Sequence, residues 1–126
     1  MKLNFDTVRT VLLEIEEKTD LDNSLIYEKS STNPDIFYTL LKLDEAQLIN
    51  STDVKTWIGV IQIEVKSLTY EGHKFLDTIR DPKVVKLTKD KVKNFSSVSI
   101  DIFSKVASQI ILNLLEPWLY HSEYWT

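Results

Sequence analysis

The chain has 126 residues, which is enough for one domain with a modest core. Its 43% hydrophobic and 27% charged content is ordinary for a globular protein, and its formal net charge is −4. The absence of cysteine excludes a disulfide framework and a thiolate metal site. Gly59 and Gly72 are the only glycines and stand apart, so a glycine-rich phosphate loop is excluded as well.

The N-terminal residues contain no apolar signal core. The longest nearly uncharged stretch, residues 106–115, is too short to span a bilayer. We therefore expect a cytoplasmic protein without a membrane partner.

The first half of the chain predicts two helices. Residues 5–18 follow Asn4, a suitable cap, and repeat apolar side chains at helical spacing, namely Phe5, Val8, Leu12 and Ile15. Residues 19–33 are polar and loop-like, except for Leu25-Ile26-Tyr27, which fits either a short strand or an anchored loop. Pro34 then suits the first turn of a second helix, over 34–48.

The hydrophobic period changes after residue 48. Residues 49–68 alternate between apolar and polar side chains and predict a two-stranded ribbon with its turn near Thr56 to Gly59. Thr69 is a suitable cap for a third helix, over 70–80.

Asp81-Pro82 breaks this helix and starts another segment, of which residues 83–94 are strongly basic. A long apolar helix is predicted over 98–115, although the alternation of Val98, Ile100 and Ile102 also permits a strand at its start. The aromatic tail, residues 116–126, is expected to be irregular.

The order helix, ribbon, helix predicts a mostly α protein with a small β-hairpin, that is, a winged helix-turn-helix followed by a C-terminal helix or helices. The predicted divisions are a winged-helix domain over 1–81, a helical extension of it over 82–115, and the tail. This fold serves both DNA reading and protein docking, so it does not by itself define a function.

Residues 1–4 together with Leu68–Asp81 carry a resemblance to a known family. Over roughly residues 1–115 the chain resembles an uncharacterised family of small winged-helix-like proteins of Gram-positive bacteria, their prophages and phages. The pattern Gly72-His73-x-Phe75-Leu76-Asp77-x-Ile79-Arg80-Asp81 is the most specific part. The shorter pattern Leu68-Thr69-x-x-Gly72-x-x-x-Leu76 also resembles PadR-like and MarR-like repressors. The resemblance implies a fold and a setting, but no activity.

The sequence does not favour an enzyme. Only His73 and His121 are available as histidine ligands, and no Gly-x-Ser-x-Gly nucleophile motif occurs. We therefore expect no cofactor, metal or small-molecule substrate. Gly72 is interpreted as a point of close packing between a helix and the ribbon rather than as a ligand approach point.

Positive charge concentrates outside the predicted recognition helix. Residues 34–49 carry three acidic side chains against Lys42 alone, whereas residues 80–94 have a net charge of +4. The basic segment suits phosphates, an acidic protein, or plain solubility. If DNA is bound, the side chains expected to face it are Thr39, Lys42 and Lys55, with Lys86, Lys89 and Lys93 on phosphates. Trp57 is interpreted as a core or hairpin-clamp residue.

The apolar surface of the last predicted helix is wider than one neighbouring element covers. We expect a homodimer interface formed by Ile102, Val106, Ile110, Leu114 and Trp118; the alternative is that this helix completes the core of the monomer.

Two functions remain open. One is a DNA-binding transcriptional regulator that acts as a homodimer. The other is a protein–protein interaction module that inhibits or redirects a host protein, for example a phage anti-defence factor. The fold favours the first, and the acidic balance favours the second.

Overall fold

The computed structural model describes the backbone of residues 1–121 and the side chains of residues 1–116. This part of the chain forms five helices and three strands: α1 (Phe5–Lys18), β1 (Leu25–Glu28), α2 (Pro34–Glu45), β2 (Ile49–Thr56), β3 (Gly59–Leu68), α3 (Tyr70–Ile79), α4 (Pro82–Val92) and α5 (Ile100–His121). The chain divides into two compact units, unit 1 (Met1–Asp77) and unit 2 (Thr78–Thr126).

Unit 1 is built on an antiparallel sheet of order β1-β3-β2. Alternate residues of β3 face the core, where Ile63 and Val65 are buried. α1 packs against β3 and α2. Tyr27 of β1 donates a 2.7 Å hydrogen bond from its hydroxyl to Glu14 of α1, which ties the short first strand to the first helix.

The predicted helices over 5–18, 34–48 and 70–80 are confirmed, with α2 ending at Glu45. The end of α2 follows a Schellman motif, because Gln47 has a positive φ of 61° and Leu48 N–H donates to the carbonyl of Leu43 at 2.9 Å. The predicted hairpin is confirmed too, with its turn between Thr56 and Gly59.

The structure confirms the expected fold class in part, since the described residues form a mixed α/β protein in which the hairpin belongs to a three-stranded sheet. Leu25–Glu28 forms a third strand, which resolves the alternative left open by its sequence. Residues 19–33, including β1, separate α1 from α2, whereas a helix-turn-helix joins its helices by three or four residues.

Unit 2 contains α4 and α5, which pack against each other. Asp81 caps α4 by accepting a 2.8 Å hydrogen bond from Lys83 N–H. Ser99 caps α5, accepting from Ile102 N–H at 3.2 Å, so the segment around Val98 does not start a strand.

The structure extends α5 beyond the predicted end. The helix continues past residue 115 to His121, so the irregular backbone predicted for residues 116–121 is wrong. Residues 122–126 and the side chain of Trp118 lie outside the described part of the chain. Among the helices that the structure describes, none combines the length and the apolar character needed to cross a membrane.

Candidate functional site

The tip of the β2–β3 hairpin is the most unusual surface of unit 1. Trp57 and Ile58 occupy the two turn positions between the strands, and Gly59 follows with a φ of +108°. Neither turn residue has a positive φ, so the turn is not of type I′ or II′, the types found in most two-residue hairpin turns. Glycine supplies the left-handed residue that closes the hairpin after them.

Three apolar side chains are exposed around this turn. Trp57 is 96% exposed, Ile58 59% and Val54 46%, and we call these residues the hairpin tip. The interpretation of Trp57 as a core or clamp residue is wrong, because a side chain this exposed is packed neither in the core nor against the facing strand. Exposed apolar clusters of this kind mark interaction sites more often than single exposed side chains do.

The base of the hairpin is held by closely packed backbone. Thr69 Oγ1 donates to the carbonyl of Gln47 at 2.7 Å and accepts from Gly72 N–H at 3.0 Å. A Cβ atom added to Gly72 would overlap the carbonyl oxygen of Leu48 and lie 3.0 Å from its carbonyl carbon. The predicted role of Gly72 in close helix–ribbon packing is therefore confirmed, and the tip extends from a fixed base.

The structure leaves fewer side chains of α2 available for contact with DNA than the sequence predicted. Thr39 is only 2% exposed, and its hydroxyl donates to the carbonyl of Asp35 at 2.7 Å. A surface contact from Thr39 is therefore not available in this structure, because helical spacing turns it toward the core.

Lys42 is engaged within its own helix. Its Nζ lies 3.1 Å from Glu45 Oε2 and 5.4 Å from the centroid of the Tyr38 ring. The hydrogen bond to Glu45 raises the pKa of the Lys42 ammonium group. Lys55 is exposed on β2, beside the hairpin tip.

Unit 1 as a whole is acidic. It carries eight Lys and Arg side chains against fourteen Asp and Glu, a net charge of −6. Two open clefts of unit 1, of about 340 and 360 Å³, are lined by carboxylates; these include Asp6, Glu14 and Asp35 in one and Asp20, Asp22 and Glu64 in the other. Among the side chains of residues 1–116, no group of three or more potential ligands is arranged to hold a metal ion.

The basic segment lies on α4 of unit 2. The side of α4 that carries Val84, Val85 and Thr88 is buried, and the predicted phosphate contacts Lys86, Lys89 and Lys93 are all exposed. These three lysines therefore share one accessible surface, whereas Lys42 and Lys55 belong to unit 1.

The residues predicted to form a dimer interface on α5 differ in their exposure. Ile110 is buried with 7% exposure, so it belongs to the chain's own core rather than to an interface. Val106 is half-buried, while Ile102 and Leu114 are 49% and 46% exposed. The buried stripe of α5 consists of Phe103, Ala107 and Ile110, a register that the sequence pattern did not distinguish from its neighbours.

The sequence analysis did not predict that Val54 and Ile58 form an exposed apolar cluster with Trp57. The available signal was the pair Trp57-Ile58 between two strands, at positions where Gly, Asn, Asp, Ser and Pro are the usual residues. Large apolar side chains at a hairpin turn have no core to enter, so their exposure follows from the turn itself.

These features define a small mixed α/β protein with a three-stranded antiparallel sheet, a projecting hairpin and a helical C-terminal unit. Residues 2–99 match the family described as "Hypothetical protein (DUF2513)", and the chain belongs to that family. An uncharacterized protein of Haemophilus influenzae is 30% identical over 118 residues, which cover 91% of this chain and 99% of that protein. No solved structure matches the chain.

Proposed function

We propose that this protein is a non-enzymatic interaction module in which unit 1 is a winged-helix variant and the hairpin tip docks into an apolar pocket of a partner protein. The winged-helix assignment is supported by the sheet order β1-β3-β2 and by a hairpin that directly follows a helix. The two helices before the hairpin are separated by residues 19–33 rather than by a turn of three or four residues, which suits docking better than insertion of a recognition helix into a DNA groove.

The exposure of Trp57 is the observation that carries the proposal. A tryptophan side chain buries about 150–250 Å² when it is enclosed, and it is one of the residue types that dominate interface energies. At 96% exposure, nearly all of that surface is available to a partner. Ile58 and Val54 enlarge the apolar contact, while Lys55 and Asp53 give it a polar rim.

Charge indicates the class of partner. A net charge of −6 makes unit 1 a poor surface for a polyanion, because association would bring like charges together. It favours instead a protein whose apolar pocket is bordered by basic side chains. In the phage or prophage setting that the sequence resemblance implies, that partner is a protein of the bacterial host.

The test is capture from lysate of the producing cells by the full-length protein, followed by titration of the purified partner. Trp57→Ala should weaken binding by roughly thirtyfold or more, as expected for an interface anchor worth about 2 kcal/mol. Leu21→Ala is the matched control, because Leu21 is also fully exposed in unit 1. A partner that binds Trp57→Ala as well as it binds the wild type would refute docking through the tip.

A second candidate function, DNA binding as a transcriptional regulator, is supported by the exposed lysines of α4. Three contacts from this helix to phosphates would give binding that falls steeply with salt and depends little on sequence. The remaining candidates for contact with DNA are Lys42 and Lys55.

Gel-shift titration with bulk duplex DNA at low and high salt tests this candidate. Joint replacement of Lys86, Lys89 and Lys93 by Ala should weaken binding on all sequences and flatten its salt dependence. Joint replacement of Lys2, Lys18 and Lys29 removes the same charge from unit 1 and should have a much smaller effect. Failure of the wild type to bind at low salt would eliminate the DNA function and leave the docking function standing.

A further inference from the structure

β2 lies at one edge of the sheet of unit 1, because β3 is its only partner among the described strands. Within residues 1–121, no backbone hydrogen bond joins residues 50–56 to an element other than β3. Residues 52–56 are all exposed, whereas Ile49 is buried and Ser51 donates a 2.9 Å hydrogen bond from its hydroxyl to Asp44 of α2. The second half of β2 is therefore accessible to another strand, and we call residues 52–56 the open edge.

The open edge lacks two of the features that usually prevent a strand from pairing with another chain, namely a bulge and a proline. Both register shifts between β2 and β3 place the extra residue, Lys66 or Ile61, on β3, so β2 itself alternates regularly and contains no proline. Its protection is limited to two charged side chains, Asp53 and Lys55, which have opposite signs and lie on the same face of the sheet. Charges of mixed sign repel some arrangements of a second strand and attract others.

Charge and accessibility together select one way in which a second copy of β2 can pair with the open edge. In a symmetric antiparallel pair, facing residues lie on the same side of the sheet, so the two-fold axis passes through a residue position. An axis at Val54 places Asp53 of each copy opposite Lys55 of the other, and Thr52 opposite Thr56. An axis at Asp53 or Lys55 places like charges opposite each other. An axis at Thr52 or Thr56 pairs the open edge with residues outside it.

The two charged side chains are available for this pairing. Within the described part of the chain, Asp53 and Lys55 make no side-chain hydrogen bond or ion pair. Cross-strand pairs of opposite charge stabilise a sheet, and here the pair would form twice without the loss of an existing contact.

We propose that the protein forms a homodimer by antiparallel pairing of β2 with β2 of a second copy, which joins two three-stranded sheets into one sheet of six strands. Main-chain hydrogen bonds between the two open edges supply the attraction, as in other cases of strand addition. The two Asp53–Lys55 pairs fix the register. At physiological ionic strength the Debye length is about 8 Å, so the net charges of the two acidic units are largely screened from each other. The dimer does not rest on the proposed docking function, which depends on Trp57.

A charge-exchange set, followed by light scattering on the full-length protein, tests the pairing. The wild type should show twice the 14.7 kDa chain mass at about 100 micromolar. Asp53→Lys and Lys55→Asp should each weaken association by roughly ten- to hundredfold, because each turns both attractive pairs into repulsive ones. The two variants should associate with each other when they are mixed, and the double variant should again form a homodimer. Lys29→Asp makes the same chemical change at another exposed lysine of unit 1 and should leave the dimer intact.

A disulfide cross-link tests the position of the axis. The chain has no cysteine, so Val54→Cys introduces one thiol per copy. At the proposed axis the two thiols would face each other at a separation that a disulfide spans, and mild oxidation should give a covalent dimer. Thr52→Cys is the control, because its two thiols would lie four residues apart along the paired strands, about 14 Å, and should cross-link much more slowly.

Each measurement has a result that contradicts the proposal, and far-UV circular dichroism checks that each variant is folded. A wild type of single-chain mass at about 100 micromolar overturns the homodimer and leaves the open edge to a strand of a different protein. A dimer that tolerates both charge variants, or single variants that do not associate on mixing, overturns pairing through β2. Equal cross-linking of Val54→Cys and Thr52→Cys overturns the axis at Val54.

Discussion

Replacing Gly72 by alanine tests how the hairpin is attached to the rest of unit 1. In an ordinary helix interior this change would stabilise the protein by about 1 kcal/mol, because glycine loses more conformational entropy on folding. Here the new methyl group would overlap the carbonyl oxygen of Leu48. That oxygen accepts a 3.0 Å hydrogen bond from Thr69 N–H, so it cannot move without weakening the bond.

The expected magnitude follows from these opposing effects. Overpacking costs about 1–3 kcal/mol, and loss of the hydrogen bond adds about 1 kcal/mol. After the helix-propensity gain of about 1 kcal/mol is subtracted, Gly72→Ala should lower the free energy of unfolding by roughly 1–3 kcal/mol. With an unfolding entropy of about 2.1 cal/mol/K per residue, the Tm should fall by roughly 4–12 °C.

Urea and thermal unfolding followed by far-UV circular dichroism measure the effect. His73→Ala is the matched control, because His73 is the next residue of α3 and is exposed; it should change stability by no more than about 0.5 kcal/mol. A Gly72→Ala protein as stable as the wild type, or more stable, would show that the close approach to Leu48 is not a constraint.

Two further substitutions test neighbouring contacts. Thr69→Ala removes both the cap of Gly72 N–H and the bond to Gln47, and should lower the free energy of unfolding by about 1–2 kcal/mol, whereas Thr69→Ser should keep most of it. Tyr27→Phe removes the bond to Glu14 and should cost about 1 kcal/mol near neutral pH. Burial, and then the bond to Glu14, raise the pKa of Tyr27 above its ordinary value of 10.0. The folded state therefore favours the neutral phenol, and its stabilising contribution, present below pH 10, is lost as the pH rises further. The stability difference between wild type and Tyr27→Phe should accordingly shrink above pH 10 in urea titrations, and a constant difference would contradict this account.

Hydrophobic periodicity alone determined most of the secondary structure. The helices around Phe5, Leu40 and Phe75 and the hairpin turning at Trp57 each carry a repeat of 3.6 or 2 residues over a full element, and such repeats persist whatever surrounds them. Local chemistry also determined the helix starts at Asn4, Asn33 and Thr69, because a cap is satisfied by neighbours in sequence.

The tertiary structure decided which face of each helix or strand is buried where the sequence pattern permitted more than one. β1 is a strand because β3 supplies its hydrogen-bond partners, which four residues in isolation cannot reveal. Thr39 is buried because it lies on the side of α2 that also buries Leu40 and Leu43. Ile110 is buried whereas Leu114, four residues later on the same side of α5, is 46% exposed, and the sequence pattern alone does not distinguish the two positions.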